Sequence, residues 1–152
     1  MEENRIETEV ETKQYIVVNV GIEQFGIDIK YVDNIVRMQK ITRVPKAQDF
    51  FRGVINLRGE IIPVMSFRRK FGLEDDTFTD KTRIIILKPE QQDSIGIIVD
   101  MVKEVLTLEE EEIEKHAQDG KDEKSKYISA VGKNNGNLIS LLNINGIIQK
   151  MI

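Results

Sequence analysis

The chain contains no cysteine and no tryptophan, one histidine, three prolines and only 6% aromatic residues. Each scarcity closes a class of function. Without cysteine there is no disulfide framework, no thiolate metal site and no cysteine nucleophile, which fits a reduced, cytoplasmic setting. With His116 as the only imidazole, the Ser-His pairing of nucleophilic catalysis lacks its usual base unless that residue serves, and a metal site built on several histidines is out of reach. No segment approaches the roughly 18 apolar residues of a membrane span. The start, Met1-Glu2-Glu3-Asn4-Arg5, is acidic and lacks the apolar stretch of a secretory leader. The expectation is a cytoplasmic chain with no direct membrane insertion. There is no Gly-x-x-x-x-Gly-Lys-Ser/Thr loop, no Gly-x-Gly-x-x-Gly fingerprint and no Asp-x-Asx-x-Asx-Gly spacing, so nucleotide and calcium binding lack their usual handles and no cofactor is expected.

What is abundant is β-branched: 23 Ile and 13 Val stand against 8 Leu and 3 Ala in 152 residues. Such side chains lose χ1 freedom in helices and pack well on a pleated surface, so the bias predicts an all-β fold. The net charge of −4 is unevenly spread, because residues 1–12 and 107–126 are strongly acidic and the remainder is basic on balance. The acidic stretches read as a solvated tail over 1–12 and a surface helix.

The chain also carries an internal repeat. Gly26-Ile27-Asp28-Ile29-Lys30-Tyr31-Val32 aligns with Gly96-Ile97-Ile98-Val99-Asp100-Met101-Val102, and Tyr15-Ile16-Val17 with Ile85-Ile86-Leu87 at the same offset. A third block, Gly59 to Phe67, aligns with Gly136 to Ile144 at an offset seven residues larger, and the insertion falls around the acidic segment 107–126. Leading strands are expected at 13–20 and 83–88 and the next strands at 25–29 and 95–99, with a strand-turn-strand around Asn56-Leu57-Arg58-Gly59 and another around Asn134-Asn135-Gly136. About five strands per half is what a small closed barrel of the OB or SH3 kind needs to remove its edges. The expected architecture is two five-stranded barrels, over 13–80 and 81–152, sharing one core because neither half alone buries enough. A short acidic helix is expected in the second half, opened by Thr107 and Glu110 as a capping box and stopped near Gly120, and a shorter helical turn at Ala47 to Arg52.

Candidate chemistry is thin. Asp28, Asp33 and Asp100 are the acids set within apolar strand blocks, and alternation turns Asp28 away from the Ile face. They read as solvent-facing or turn residues, with acid-base catalysis the rival. Arg37, Lys40, Arg43, Lys46, Arg52, Arg68, Arg69 and Lys70 make a modest basic face, but single-strand binding also wants stacking aromatics, which are scarce. No nucleic-acid partner is expected. His116 reads as a solvated residue of the acidic helix.

The run Phe51-Arg52-Gly53-Val54-Ile55-Asn56-Leu57-Arg58-Gly59-Glu60-Ile61-Ile62-Pro63-Val64, continued by Phe67-Arg68-Arg69-Lys70-Phe71-Gly72, resembles the signature of the CheW family of chemotaxis coupling proteins. The likeness runs from about Tyr15 to Ile148, as one domain over 13–150, and departs at Ser66, where the family commonly has Asp. The resemblance implies intertwined five-stranded barrels and a monomeric, non-enzymatic adaptor. It would join the cytoplasmic tip of chemoreceptors to the C-terminal regulatory domain of the histidine kinase CheA in membrane-bound receptor arrays. Receptor contact is then expected at Ile29, Val32, Ile35, Asn56, Leu57, Arg58, Gly59, Val99 and Val102, and kinase contact near Thr82, Arg83 and Ile84. The apolar members have a second reading as plain core, and Leu57-Arg58 a second reading as an ordinary turn tip.

Overall fold

A computed structural model describes residues 11–115 and 126–148. Its strands are β1 (Thr12–Val20), β2 (Glu23–Asp28), β3 (Val32–Arg37), β4 (Phe51–Leu57), β5 (Glu60–Ser66), β6 (Arg83–Leu87), β7 (Ile95–Val99), β8 (Met101–Glu109), β9 (Ile113–Lys115), β10 (Ile128–Asn134) and β11 (Asn137–Leu142). Two short helices, α1 (Phe67–Lys70) and α2 (Ile144–Ile148), and 3-10 turns at Ile29–Tyr31 and Glu110–Glu112 are the helical elements among the described residues. The all-β expectation holds, and the four strands expected from β-branched enrichment appear within a residue or two of their expected ends.

The strands form a six-stranded sheet in the order β8-β1-β2-β11-β10-β9 and a five-stranded sheet in the order β3-β6-β7-β5-β4. Each sheet draws on both sequence halves, so a boundary near residue 80 divides the repeat and not the sheets. The exchange is made by two parallel pairings, β2 with β11 and β5 with β7. These are repeat equivalents: Gly26 lies opposite Leu141 in one and Gly96 opposite Val64 in the other. Both glycines are there for space. A Cβ at Gly26 would stand 2.7 Å from the Leu141 side chain, and one at Gly96 would stand 2.8 Å from that of Ile84.

Ile84, Ile85, Ile86 and Leu87 are all buried, because alternate residues of β6 serve two different cores. Ile84 and Ile86 join Ile55, Ile62, Val64 and Ile98 in a cluster enclosed by the five-stranded sheet. Ile85 and Leu87 point the other way, into a larger cluster at the seam, where Val18, Phe25, Ile27, Ile97 and Val99 meet them. The six-stranded sheet repeats the scheme, with Tyr15, Val17, Leu108, Ile139 and Leu141 inside it. Period-two alternation thus sorts one strand between its own sheet and the seam. The scarce aromatics concentrate there: Phe67 stacks on Phe71 with centroids 4.2 Å apart, and Phe25 and Tyr127 close on that pair at 4.7 and 5.3 Å.

Sheet edges are managed by short connections. β8 and β9, the two edges of the larger sheet, are joined by only Glu110–Glu112, so the sheet curls back on itself. In the smaller sheet the chain after β3 bridges back to β4 through Thr42 and Val54. Strand edges closed in this way offer no template for non-specific pairing.

Helical expectations need correction. The acidic helix exists as a single 3-10 turn, Glu110–Glu112, whose capping box is Glu109 with Glu112. Thr107 instead lies within β8 opposite Gln14, because pairing with β1 outweighs a local cap. Residues 116–120, with His116 and Gly120, lie outside the described residues. Ala47 to Arg52 is no helix: turns at 45–46 and 49–50 lead directly into β4. The expected tail ends earlier than residue 12, since Thr12 already pairs with Glu109, and residues 1–10 are outside the described range. The true helices went unforeseen. Ser66 Oγ accepts from the Arg69 amide at 3.1 Å to open α1, and Asn143 Oδ1 accepts from the Gly146 amide at 3.2 Å to open α2. Ser66 and Asn143 are repeat equivalents, as the offset of the third block requires.

Gly96→Ala is expected to destabilise the fold by about 1–3 kcal/mol through overpacking of the parallel seam. Urea unfolding would read this as a lower midpoint with unchanged slope, and Gly26→Ala should behave alike.

Candidate interaction surfaces

The turn between β4 and β5 is the sharpest local feature. Arg58 has φ 55° and Gly59 φ 84°, the signs of a type I′ hairpin turn, and Asn56 Oδ1 accepts from the Gly59 amide at 3.0 Å. The two-residue tip is therefore Arg58-Gly59. This corrects the expectation that Leu57 projects beside Arg58: Leu57 ends β4 opposite Glu60 and packs against the inner cluster of its sheet. An arginine in left-handed backbone costs roughly 1–2 kcal/mol relative to glycine. The equivalent hairpin, with Asn135 at φ 50° and Gly136 at φ 82°, uses residue types that accept such angles readily. Strain kept at Arg58 but relieved at Asn135 points to use of the arginine side chain.

Beside this hairpin, Ile61 is 60% exposed at the mouth of a cleft of about 750 Å³ that Pro63, Pro89, Gln92 and Ile95 also line. The apolar candidates divide by burial. Ile29 is exposed on its 3-10 turn, while Val32 and Ile35 of β3 and Val102 of β8 are half-buried along the border of the seam core. Val32 and Val102 belong to different sheets, so the repeat places one at the seam from each side. Val99 is corrected. It is 1% exposed, its side chain fully within the seam, and can touch no partner directly.

The acids of the catalytic rival do not converge. Asp28 Oδ1 accepts from the Lys30 amide at 3.0 Å and lies opposite Tyr15, whose phenol is pushed up by burial first and by Asp28 second. Asp100 is bonded at the other end of β1, where its amide donates to the Asn19 carbonyl, about 14 Å along the strand at ordinary strand rise. Asp33 is exposed on β3. Among the described residues no group of three or more His, Asp or Glu is placed to hold a metal. The basic face is also divided. Arg52, Arg68 and Arg69 are paired with aspartates, and Lys70 sits over the Phe50 ring at 4.0 Å.

Residues 14–151 match the CheW-like domain family. The chain belongs to the CheW family. It is 33% identical to the chemotaxis protein CheW of Bacillus subtilis (strain 168), over 91% of this chain and 88% of that one. Against the chemotaxis protein CheW of Thermotoga maritima it is 32% identical, covering 91% of each. The crystal structure of the scaffolding protein TtCheW from Thermoanaerobacter tengcongensis superposes with a TM-score of 0.84 at 29% identity, covering 93% of this chain and 98% of that one. These relatives make it a chemotaxis scaffold or coupling protein. No helix among the described residues is long and apolar enough to cross a membrane.

Within this CheW fold the expected kinase contact is largely internal. Thr82 is 3% exposed and its Oγ1 accepts from the Thr79 amide at 2.8 Å, while Ile84 is fully buried. Both are withdrawn as direct contacts. Arg83 between them reaches the surface and donates to the Asp80 and Thr82 carbonyls.

Ionic networks that sequence reasoning missed hold α1 between the sheets. Arg68 Nε and Nη2 donate to the two carboxylate oxygens of Asp100 at 2.9 and 2.6 Å, and the Gly21 amide donates to the same carboxylate at 2.8 Å. The hydrogen bonds from Arg68 hold the Asp100 carboxyl below its ordinary range, against the opposing effect of burial. Arg69 grips Asp75 in the same two-pronged way and lowers its pKa. Asp76 differs: burial raises its pKa although the Ser66 hydroxyl and Arg52 favour the charge. A carboxyl group thus stands beside the start of α1 even though residue 66 is Ser and not the family's common Asp. The Ser-x-x-Arg cap with Phe67 and Phe71 four apart was the available sequence signal for α1.

Asp100→Asn should destabilise by about 1.5–3 kcal/mol at neutral pH, because it breaks a charge-assisted pair around a half-buried guanidinium. Asp100 has a depressed pKa when folded, so its stabilisation is present above the unfolded value near ~3.9 and is lost as pH falls through the lower folded one. Thermal unfolding of both proteins across this range should converge at acid pH. A gap that persists there would contradict the assignment.

Proposed function

We propose that this chain is a non-enzymatic adaptor that couples chemoreceptors to the histidine kinase CheA, binding the cytoplasmic receptor tip and the kinase regulatory domain on separate surfaces. It works in the cytoplasm as a free monomer that joins membrane-bound receptor arrays. Its output is a coupling free energy between two binding events and not a turnover. The observation that carries this reading is the strained Arg58-Gly59 tip beside an open apolar cleft, in a fold whose titratable groups do not gather into a reaction centre.

Receptor contact is assigned to Asn56, Arg58 and Gly59 at the tip, with Ile29, Val32, Ile35 and Val102 as the apolar border. Asn56 fixes the turn and so aims Arg58, whose guanidinium can donate in two directions to carboxylates or carbonyls of a helical hairpin. Half-buried valines and isoleucines along a seam suit an amphipathic helix, which anchors through spaced apolar side chains. Leu57 and Val99 support these surfaces from beneath. Arg83 remains the kinase candidate of its triplet.

Arg58→Asn is the informative substitution. Asn accepts left-handed backbone, so the variant should fold at least as stably as the parent, by up to about 1 kcal/mol. Its affinity for a receptor-tip fragment should fall about tenfold, as for a lost charge-assisted hydrogen bond, with kinase binding unchanged. Receptor affinity equal to the parent's in a calorimetric titration would remove Arg58 from the site.

A further inference from the structure

At the end of the five-stranded sheet opposite the Arg58 tip, the connection from β3 to β4 frames a second cleft of about 670 Å³. β4 is seven residues long, so this cleft lies on the order of 20 Å from the tip. Arg43, Lys46, Arg52 and Arg69 line it, with Asp49 the acid among its lining. Arg52 and Arg69 already hold Asp75, but Arg43 and Lys46 have no acidic partner among the described residues. Lys46 has φ 62° directly after Pro45, the place in such a turn where glycine is favoured. A long cation therefore stands where the backbone would prefer no side chain.

The positive charge continues onto the sheet. Arg37 and Arg83 are register partners across β3 and β6, and like charges directly opposite on a sheet repel. This end of the molecule concentrates unneutralised cations in a chain whose net charge is −4. Apolar surface accompanies them: Val44 is 43% and Phe78 45% exposed, and both line the same cleft. A surface that pairs unneutralised arginines and lysines with open apolar side chains complements an acidic segment carrying an apolar anchor.

We infer that the Arg43–Lys46 cleft, extended by Arg37 and Arg83, docks an acidic, apolar-anchored segment of the kinase regulatory domain. This rests on the coupling function proposed above. It moves the main kinase contact from the buried Thr82 and Ile84 to the neighbouring cleft, away from the tip given to the receptor. Binding of both partners at once then needs no sharing of surface. The cations steer association and relieve the Arg37–Arg83 repulsion, and the Val44–Phe78 surface takes the anchor.

The test pairs the full chain and an Arg43→Glu/Lys46→Glu double variant with two probes, the CheA regulatory domain and a receptor-tip fragment. Titrations run at about 50 and about 300 mM salt, which spans strong to weak screening. Both positions are exposed loop residues, so the fold should survive. An Arg43→Gln/Lys46→Gln variant, which removes charge without reversing it, supplies an intermediate effect. The expected result is kinase affinity reduced about tenfold or more in the reversal variant, with a flattened salt dependence, and receptor affinity within about twofold of the parent. Unchanged kinase affinity and salt response would overturn the cleft assignment while leaving the coupling function standing. No kinase binding by the parent chain would overturn both. Loss of receptor binding instead, or retention of single-stranded DNA that the reversal abolishes, would show that the cleft serves a different partner.

Discussion

Burial at the seam is the constraint on which the rest depends. Each sheet encloses a small cluster of its own, and neither cluster is large. The seam gathers the larger set, with Phe25, Phe67, Phe71 and Tyr127 among it, and it exists only because each sheet contains strands from both halves of the repeat. Apolar burial contributes in proportion to area removed from water, so a domain of this size draws its stability from the one place where two small clusters become a single core. The parallel pairings of β2 with β11 and β5 with β7 are the joints. They require the close approach that Gly26 and Gly96 permit.

From that seam the functional surfaces follow as consequences. The β4–β5 hairpin is anchored at its base by Ile55, Ile62 and Val64, so its tip is presented on a rigid support. Val32, Ile35 and Val102 are half-buried because they stand where the seam core reaches the surface from two different sheets. Helix α1 is wedged between the sheets by Phe67 and Phe71 on its buried side and by the Arg68–Asp100 pair on its outer side. The scaffold holds two ends of one sheet apart at fixed distance. A protein with this geometry can relate two partners to each other without acting chemically on either.

Charge is arranged to suit the same division. Asp75 and Asp100 are committed to arginines and held ionised, Asp76 is desolvated, and Arg43 and Lys46 are left without acids. Exposed pairs contribute little to stability, so an unpaired cation costs the fold little and keeps its charge available for a partner.

Much of this was legible in the amino-acid order. Ile and Val enrichment fixed the strand-rich class, the two offsets of the repeat located four strands to within two residues, and Asn56 with Gly59 marked the hairpin. The run from Phe51 to Gly72 pointed to the CheW family. Where local signals competed with pairing they misled: Thr107 looked like a helix cap yet lies in β8, since a ladder with β1 offers more hydrogen bonds than one cap. Val99, Thr82 and Ile84 carry nothing in their identities to say that both faces of their strands are covered. Burial on both faces, the sorting of β6 between two cores, the exchange of strands between halves and the meeting of Arg68 with Asp100 depend on contacts between residues far apart in the chain. Those contacts form only when the whole hydrophobic surface is minimised at once, so only the tertiary structure could decide them.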